Sequence, residues 1–477
     1  MKYLVGVDGG SQSTKVLIFD EAGRVASQGS APLKPLNLPA EGVAEHPGDD
    51  LWDTLAIACR EALRSFPGKL SELEALGLCT IRCCRALVRE DLRLAHPVIS
   101  WMDLRVARPY EHQDDSVKFV TTTTGYVGAR LTGNKLDTAA NLLGAWPVDY
   151  RTWDWLEDPE EFEKFKIPRS MLFGLVKPGD LIGTLTREAA EATGLPEGLP
   201  VAATASDKAV EALGSGPLGE ETGLLSLGTY ICSMVEGNKL APDHDTYFTN
   251  MAAIPKRFLY ESNGIRRGMS TVSWVRELMG PDVERRAQAA GLSPDNYLGA
   301  LASKIPAGSE GLLTIPEWLA PPSKLWKRGV MIGFTGRHTA VHMYRSVMEA
   351  IAMTMAGHLK AMCRDLSFSL KKVIVSGGGS NGNLFMEIIA SALGLPALRT
   401  EVNGAVGLGS AICAAVGAGL YGSFEEAMAK MVRIKDAFEP DPEKADFYQR
   451  LMEVYFKITD YTDEPLKMAY PLFSSKS

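Results

Sequence analysis

Runs rich in lysine and arginine are missing from this chain of 477 residues, whose formal net charge at pH 7 is −8. A protein that binds nucleic acid needs a basic patch, so this charge balance argues against a nucleic-acid partner. Cysteine is scarce as well, with seven residues at irregular spacings. The first apolar run is interrupted by Asp8, which is not typical of a signal peptide. We therefore expect reduced thiols and a cytoplasmic location.

Long uncharged segments are also rare, and the exception is residues 402–424. This segment is long enough to cross a bilayer. It consists largely of glycine and alanine, however, and few large apolar side chains would gain free energy in lipid. A buried and closely packed helix explains the segment better, so we expect no membrane span.

Residues 5–20 carry two apolar, β-branched runs around a tight turn, which predicts a β-hairpin. The turn combines bare backbone N–H groups, hydroxyl groups and one carboxylate that suits a hydrated Mg²⁺ ion. It is not a Walker A loop, because the pattern G-x-x-x-x-G-K-[ST] is absent here. This combination suits a nucleoside triphosphate, and an ordinary glycine-rich hairpin is the alternative. The residues concerned are Asp8, Gly9, Gly10, Ser11, Gln12, Ser13 and Thr14.

The order of predicted elements indicates two related halves. A third strand near 25–30, a helix from Asp49 or Asp50 and a strand over 73–81 follow the hairpin. A second strand–turn–strand unit starts at Gly223, and the strand 372–376 runs into a glycine loop with a helix from Asn383. Two such halves with a nucleotide between them favour an actin-like ATPase architecture over a Rossmann fold.

The length of the chain predicts two domains, and residues 214–219 read as a linker or hinge. We expect an N-terminal domain over 1–216, a C-terminal domain over 217–434 and a helical tail over 435–477.

Seven short blocks, taken in order, resemble the FGGY carbohydrate kinases over nearly the whole length of the chain. Each block is weak alone, and their common order carries the resemblance. The blocks are 6–10 (GVDGG), 45–47 (EHP) with Trp52, 98–105 (VISWMDLR), 130–133 (RLTG), 205–209 (ASDKA), 226–229 (SLGT) and 376–379 (SGGG).

The resemblance implies an α/β fold of two actin-like (ribonuclease H-like) domains, each a mixed sheet flanked by helices, with a catalytic cleft between them. It implies an enzyme that transfers phosphate from ATP, with Mg²⁺, to a sugar hydroxyl. The N-terminal domain would bind the sugar and the C-terminal domain ATP. A pentulose such as xylulose or ribulose is the default substrate, and a homodimer is the family's habit, although the sequence leaves the oligomeric state open.

The family's general base falls on Asp207, where a carboxylate would accept the proton of the attacking hydroxyl. The alternative is that Asp207 caps the helix that follows it. By the same resemblance, Asp8 is the acid near Mg²⁺, with Asp207 as a second candidate. Residues 9–14 form the phosphate turn. Gly228 and Thr229 form the second phosphate contact, and Gly377, Gly378, Gly379 and Asn383 lie against adenosine.

The expected sugar pocket contains Trp101, Asp103 and Arg105, because an indole face, an acid and a guanidinium suit a hydroxyl-rich ligand. A buried tryptophan beside a structural ion pair is the alternative. Arg82, Arg85 and Lys208 depart from the family pattern, which leads to the hypothesis that they favour a polar or even acidic sugar such as an aldonate. The alternative is that the arginines point outward. The expected substrate contacts are therefore Arg85, Trp101, Asp103, Arg105, Asp207 and Lys208.

The sequence also permits other interpretations. Residues 377–382 formally match the dinucleotide pattern G-x-G-x-x-G, which we reject because no βαβ unit with a suitably placed acid is expected after them. A kinase for a polyol, a sugar sensor that keeps the fold without turnover, and an ATPase with a protein client are the alternative functions.

Overall fold

Two halves, each built around a mixed sheet, make up the computed structural model, which describes residues 1–321 and 324–474. The first half contains β1 (Tyr3–Gly9), β2 (Ser13–Asp20), β3 (Val25–Pro32), β4 (Leu73–Thr80), β5 (Ala86–Val88), β6 (Phe119–Thr121), β7 (Leu136–Thr138), β8 (Val148–Asp149), β9 (Asp154–Trp155), β10 (Gly174–Val176), β11 (Leu181–Thr184) and β12 (Pro200–Ala203). Its helices are α1 (Asp50–Arg64), α2 (Thr123–Thr132), α3 (Pro159–Glu163), α4 (Arg187–Thr193) and α5 (Asp207–Ser215).

The second half begins with β13 (Thr222–Leu227), β14 (Ile231–Gly237), β15 (Tyr247–Met251) and β16 (Phe258–Ser262). After them come β17 (Leu313–Ile315), β18 (Val330–Ile332), β19 (Lys372–Ser376), β20 (Ala397–Thr400) and β21 (Ile434–Phe438). Its helices are α6 (Gly268–Leu278), α7 (Asp282–Ala289), α8 (Pro294–Ala302), α9 (Ala340–Leu366), α10 (Asn383–Leu393), α11 (Ala405–Gly417), α12 (Phe424–Met431) and α13 (Pro442–Ser474).

The two main sheets repeat one pattern of strand pairing. The first has the order β11-β12-β4-β1-β2-β3, and the second β15-β16-β14-β13-β19-β20-β21. In each, an antiparallel hairpin (β1–β2 or β13–β14) joins two parallel strands (β4 and β12, or β19 and β20) and then an antiparallel edge strand. The predicted hairpins, the helix from Asp50 and the two-half organisation are confirmed.

The uncharged segment over 402–424 folds largely into α11, whose side chains are mostly buried. This helix of the second half lies against β1 and β4 of the first sheet. Gly6 permits the approach, because a Cβ atom there would lie 1.9 Å from the carbonyl oxygen of Gly407. The prediction of a buried, close-packed helix is confirmed. Among the described residues, no helix is long and apolar enough to span a membrane.

The predicted linker and tail differ from the structure in two places. Gly214 and Ser215 are the last residues of α5 and not part of a linker. Gly214 lets α5 pack closely against α11, because a Cβ atom at this position would lie 1.9 Å from the carbonyl oxygen of Ala405. Residues 435–438 belong to β21, which pairs with β20, so the helical tail begins only at Pro442. The last part of the predicted tail, 475–477, lies outside the described residues.

Candidate active site

The turn of the first hairpin exposes some of its predicted phosphate-binding groups and buries others. Ser11 and Gln12 are exposed, and Gly10 N donates to Ser13 O at 3.1 Å, which closes the turn. Thr14 is buried, and its hydroxyl pairs with that of Thr54 on α1 at 2.9 Å. The side chain of Thr14 therefore braces the hairpin against α1 and is already partnered.

Asp8 is the last residue but one of β1 and lies directly opposite Lys15 of β2. Burial raises the pKa of Asp8 to about 6, with Lys15 lowering it and the carboxylates of Asp207 and Glu211 raising it further. A cation here would compensate that crowding of negative charge. Within the described residues, no group of three or more His, Cys, Asp or Glu side chains could hold a metal ion. The single carboxylate of Asp8 is the kind of ligand that Mg²⁺ accepts, because that ion keeps several waters and takes few protein carboxylates.

The second hairpin turn and the glycine loop converge in the other half. A Cβ at Gly377 would lie 2.6 Å from the carbonyl oxygen of Leu227, the residue before Gly228, and Gly377 has a left-handed φ of 83°. Gly268 N, at the start of α6, donates to Thr229 O at 2.8 Å. Glycine is needed at 377 both for its backbone angle and for this close approach.

A cleft of about 820 Å³ opens beside this loop, large enough for a nucleotide. Gly378, Gly379 and Asn383 are among the residues that line it. Sequence reasoning missed Arg399, which donates to Ser380 O at 2.9 Å and to Asn383 Oδ1 at 3.1 Å. Arg399 therefore braces the loop from β20, and only its position at the end of a strand beside the loop could have suggested it.

The expectation that no βαβ unit with a suitably placed acid follows the glycine loop is wrong. β19, α10 and β20 do form a parallel βαβ unit, and Glu401 follows β20 directly. Glu401 is paired with Arg433 at 2.8 Å, and the glycine loop forms a 3₁₀ turn over Gly378–Asn381 before α10. The hairpin that precedes this unit in the sheet remains the feature that separates the fold from a Rossmann domain.

Asp207 is the first residue of α5, and Ser206 is its N-cap, since Ser206 Oγ accepts from Ala209 N at 3.4 Å. The capping alternative for Asp207 is therefore wrong. Asp207 Oδ1 accepts from Lys208 N at 2.9 Å and lies 3.2 Å from Arg82 Nε. Oδ2 accepts no hydrogen bond from the part of the chain that the structure describes. With a side chain 34% exposed, Asp207 presents one anchored and one open oxygen.

Arg82 contacts Asp207 and also reaches across to the second sheet. Its Nη1 and Nη2 atoms donate to Glu261 Oε2 and Oε1 at 2.8 and 2.7 Å. Burial alone would lower the pKa of Arg82, but Glu261 and Asp207 raise it well above its ordinary value. Glu261, on β16, is fully buried and was not predicted from the sequence.

Lys208, the next residue, points into a buried polar cluster between the halves. Its Nζ atom donates to Glu211 Oε2 and Ser226 Oγ, each at 2.7 Å. Burial lowers the pKa of Lys208, and Glu211 raises it more, so the amine stays charged. The structure places Lys208 against Glu211 and leaves it without a free charge for a substrate.

Arg85, by contrast, lies beneath the turn over 105–108. It is buried and donates to the carbonyl oxygens of Arg105, Val106 and Arg108 at 3.2 to 3.4 Å. The guanidinium of Arg85 thus supports the backbone of this turn. Arg85 therefore does not point outward, which was the alternative expectation.

The predicted sugar-pocket block combines one exposed ring with a structural ion pair. Asp103 is buried and accepts from Ala44 N at 2.7 Å and Arg105 N at 2.8 Å. Arg105 Nη2 pairs with Asp103 Oδ2 at 2.7 Å and with Glu45 Oε1 at 2.6 Å. Trp101 is 41% exposed, so its indole offers a free face, whereas the guanidinium of Arg105 is engaged by two carboxylates.

Comparison with known proteins finds matches in both halves of the chain. Residues 3–118 match the N-terminal domain, and residues 223–418 the C-terminal domain, of the FGGY family of carbohydrate kinases. An uncharacterized sugar kinase, YgcE, of Escherichia coli strain K12 is 46% identical over 98% of this chain and 96% of its own length.

Two solved structures show the same fold. The xylulose kinase of Rhodospirillum rubrum superposes with a TM-score of 0.80 at 23% identity, covering 98% of this chain and 100% of its own. The gluconate kinase of Lactobacillus acidophilus has a TM-score of 0.83 at 19% identity, covering 97% and 98%. The two-domain actin-like architecture is confirmed.

Proposed function

This chain belongs to the FGGY family of carbohydrate kinases, and from that premise we propose that it phosphorylates a neutral sugar, with a pentulose such as xylulose or ribulose as the first candidate. Asp207 is the proposed general base. The observation that carries the proposal is the arrangement of its carboxylate, with Oδ1 anchored by Arg82 and Lys208 N and Oδ2 open.

In the proposed reaction, the sugar hydroxyl donates its proton to Asp207 Oδ2 while its oxygen attacks the γ-phosphorus of ATP. The bond between the γ-phosphorus and the bridging β,γ-oxygen breaks, and ADP leaves. Phosphoryl transfer depends mainly on positioning and charge stabilisation. The chief contribution of the protein at the attacking hydroxyl is therefore a proton acceptor, Asp207 Oδ2, that is held in one orientation.

The nucleotide would bind in the cleft of about 820 Å³ with its adenosine against Gly378, Gly379 and Asn383. Backbone N–H groups of the two hairpin turns, at Gly9–Ser13 and Gly228–Thr229, would contact the phosphates. Asp8 would hold Mg²⁺ through water, with Asp207 as a further candidate, and the ion would neutralise charge on the phosphates. Chelation of the metal by EDTA is then expected to abolish turnover, and an excess of Mg²⁺ is expected to restore it.

A neutral substrate fits the charges of the site better than an aldonate does. The hypothesis of an acidic sugar depended on Arg82, Arg85 and Lys208, and each of them already has protein partners. We therefore propose Trp101 and Asp207 as substrate contacts, with Asp103 and Arg105 supporting the turn that carries Trp101. Arg85 and Lys208 are no longer proposed as substrate contacts. The xylulose and gluconate kinases, below 25% identity, do not choose between these substrates.

An ADP-release assay tests the proposal directly. Wild-type protein with MgATP is given a matched panel of ketoses, polyols and aldonates, so that each ketose has an aldonate of equal carbon number. The proposal expects turnover with a ketose or polyol and at least about a hundredfold lower kcat/KM with the matched aldonate, because the carboxylate of the aldonate would be repelled by Asp8 and by the open oxygen of Asp207. Preference for the aldonate would contradict the neutral-sugar assignment. No turnover with any sugar, alongside thermal stabilisation by one, would favour the sensor.

A further inference from the structure

A continuous chain of polar contacts links the proposed base to the interior of the second sheet. It runs from Asp207 through Arg82 to Glu261 and ends at Asn250, whose Nδ2 atom donates to Glu261 Oε2 at 3.0 Å. Arg82 and Asp207 belong to the first half, whereas Glu261 and Asn250 lie on β16 and β15. The base of one half is thus connected to a strand pair of the other.

We propose that Glu261 is a positioning residue for phosphoryl transfer, which acts on Asp207 through Arg82. This inference rests on the proposed function and adds to it a residue that touches neither sugar nor nucleotide. Glu261 holds the two terminal nitrogens of Arg82, so the guanidinium can offer only its Nε edge to Asp207.

The geometry of the guanidinium explains the effect. Arginine presents its donors in a rigid planar fork, and a bidentate pair fixes that plane. With the end-on fork of Nη1 and Nη2 bound to Glu261, the guanidinium turns its Nε side toward Asp207 Oδ1. Oδ2, which accepts no hydrogen bond from the described residues, stays open for the sugar hydroxyl. Without Glu261, the fork is free to turn its terminal nitrogens toward Asp207 and bind both carboxylate oxygens. The base would then lose its open acceptor.

The surroundings of Glu261 make this arrangement firm. Glu261 is fully buried on β16, which pairs with β14 on one side and with the edge strand β15 on the other. A buried carboxylate needs a charged partner, so the Glu261–Arg82 pair is maintained by the cost of separating it. Because the second half also carries the glycine loop, the pair connects the orientation of the base to the half that lines the nucleotide cleft.

A matched control is available on the neighbouring strand. Glu236 of β14 is also a buried carboxylate, and its Oε1 atom pairs with Arg257 Nη1 at 3.3 Å. Arg257 continues to the exposed Glu425 of α12 instead of to Asp207. Glu236→Gln therefore removes a buried, arginine-paired carboxylate from the same sheet without touching the chain to the base.

The test compares steady-state kinetics of Glu261→Gln and Glu236→Gln, with thermal melting of each. For Glu261→Gln we expect kcat to fall by about 10- to 100-fold, as for other changes that misplace a reacting group, while KM for ATP changes by less than about threefold. For Glu236→Gln we expect kcat close to wild type. If Glu261→Gln keeps wild-type kcat, or if both variants lose kcat in parallel with melting temperature, the proposal is wrong.

A double-mutant cycle separates action through Arg82 from an independent effect. If Glu261 acts through Arg82, the variant Arg82→Ala/Glu261→Gln should have the kcat of Arg82→Ala alone; multiplied losses would contradict the proposal. Should Glu261→Gln fail to fold, Glu261→Asp keeps the charge while drawing it back by one methylene, and the same drop in kcat is expected. Absence of sugar-dependent turnover in wild type would instead overturn the proposed function itself.

Discussion

Ser376 Oγ donates a hydrogen bond to Glu211 Oε1 at 2.5 Å, although Ser376 ends β19 of the second sheet and Glu211 lies on α5. The other oxygen of Glu211 accepts from Lys208 and from Ser226 of β13. The helix that begins with Asp207 is thereby tied to both strands from which the proposed nucleotide-binding turns extend. One buried carboxylate holds the proposed base and these turns together.

Replacing that carboxylate should destabilise the protein. Glu211→Gln leaves the buried Lys208 amine without its charged partner, and breaking a buried pair in this way costs about 3 kcal/mol or more. Urea unfolding measures the loss. Glu188→Gln, which removes an exposed partner of Arg93, is the control and should change stability by less than about 0.5 kcal/mol. Equal effects of the two changes would contradict the assigned role of Glu211.

The contact between α5 and α11 gives a second prediction. In Gly214→Ala the new methyl group would lie 1.9 Å from Ala405 O, so the helices must separate, at a cost of about 1–3 kcal/mol. The matched change Gly219→Ala, where nothing lies within 4 Å of the new atom, should be within about 0.5 kcal/mol of wild type. Thermal denaturation distinguishes them, and a neutral Gly214→Ala would refute the close packing.

The buried Glu236 predicts a pH dependence of stability. Burial raises the pKa of Glu236 from 4.5 to about 7, although Arg257 opposes the shift. The folded state therefore binds this proton more tightly than the unfolded chain. Its contribution to stability falls as the pH rises from 4.5 through about 7, by at most about 1.4 kcal/mol per pH unit.

Glu236→Gln removes that titration, so the variant should gain stability relative to wild type as the pH rises through this range. Unfolding free energies of the two proteins, measured across the range, provide the comparison. A difference that does not vary with pH would show that Glu236 titrates near its ordinary value in the folded state.

Trp101 is predicted to act on the sugar alone. Trp101→Ala should raise KM for the sugar by about tenfold, since stacking and apolar contact with one ring contribute on the order of 1–2 kcal/mol, while KM for ATP stays unchanged. Trp274, 36% exposed on α6, is the control, and Trp274→Ala should leave the sugar KM unaltered. An unchanged sugar KM in Trp101→Ala would remove the indole from the site.

The parts of the site that follow from local sequence patterns could be predicted. Both hairpin turns and the glycine loop are recognisable because small residues stand between β-branched runs, and Asp207 follows from the order of family blocks. Thr14 shows the limit of such reasoning. Its place in the turn suggests a phosphate contact, but the alternation of a strand turns its hydroxyl toward Thr54 on α1.

Contacts between the halves could not be predicted in the same way. Arg82 and Glu261 are separated by 179 positions, and neither segment has a sequence pattern that indicates a contact with the other. Arg82, Arg85 and Lys208 look alike in the sequence as cations near the base. Burial and partners distinguish them, because the side chain of Arg85 binds carbonyl oxygens, that of Lys208 binds Glu211, and of the three only that of Arg82 contacts Asp207.

The central claim, that Asp207 is the base of a sugar kinase, is tested most directly by comparing Asp207→Asn with Asp282→Asn. Both aspartates are the first residue of a helix, so both changes remove the same charge from a helix N-terminus. ADP release is measured at saturating MgATP and sugar, with ATP binding followed by calorimetry. The account predicts that Asp207→Asn loses about 10²- to 10⁴-fold in kcat while still binding ATP, and that Asp282→Asn keeps wild-type kcat. A kcat for Asp207→Asn within a few-fold of wild type would contradict it.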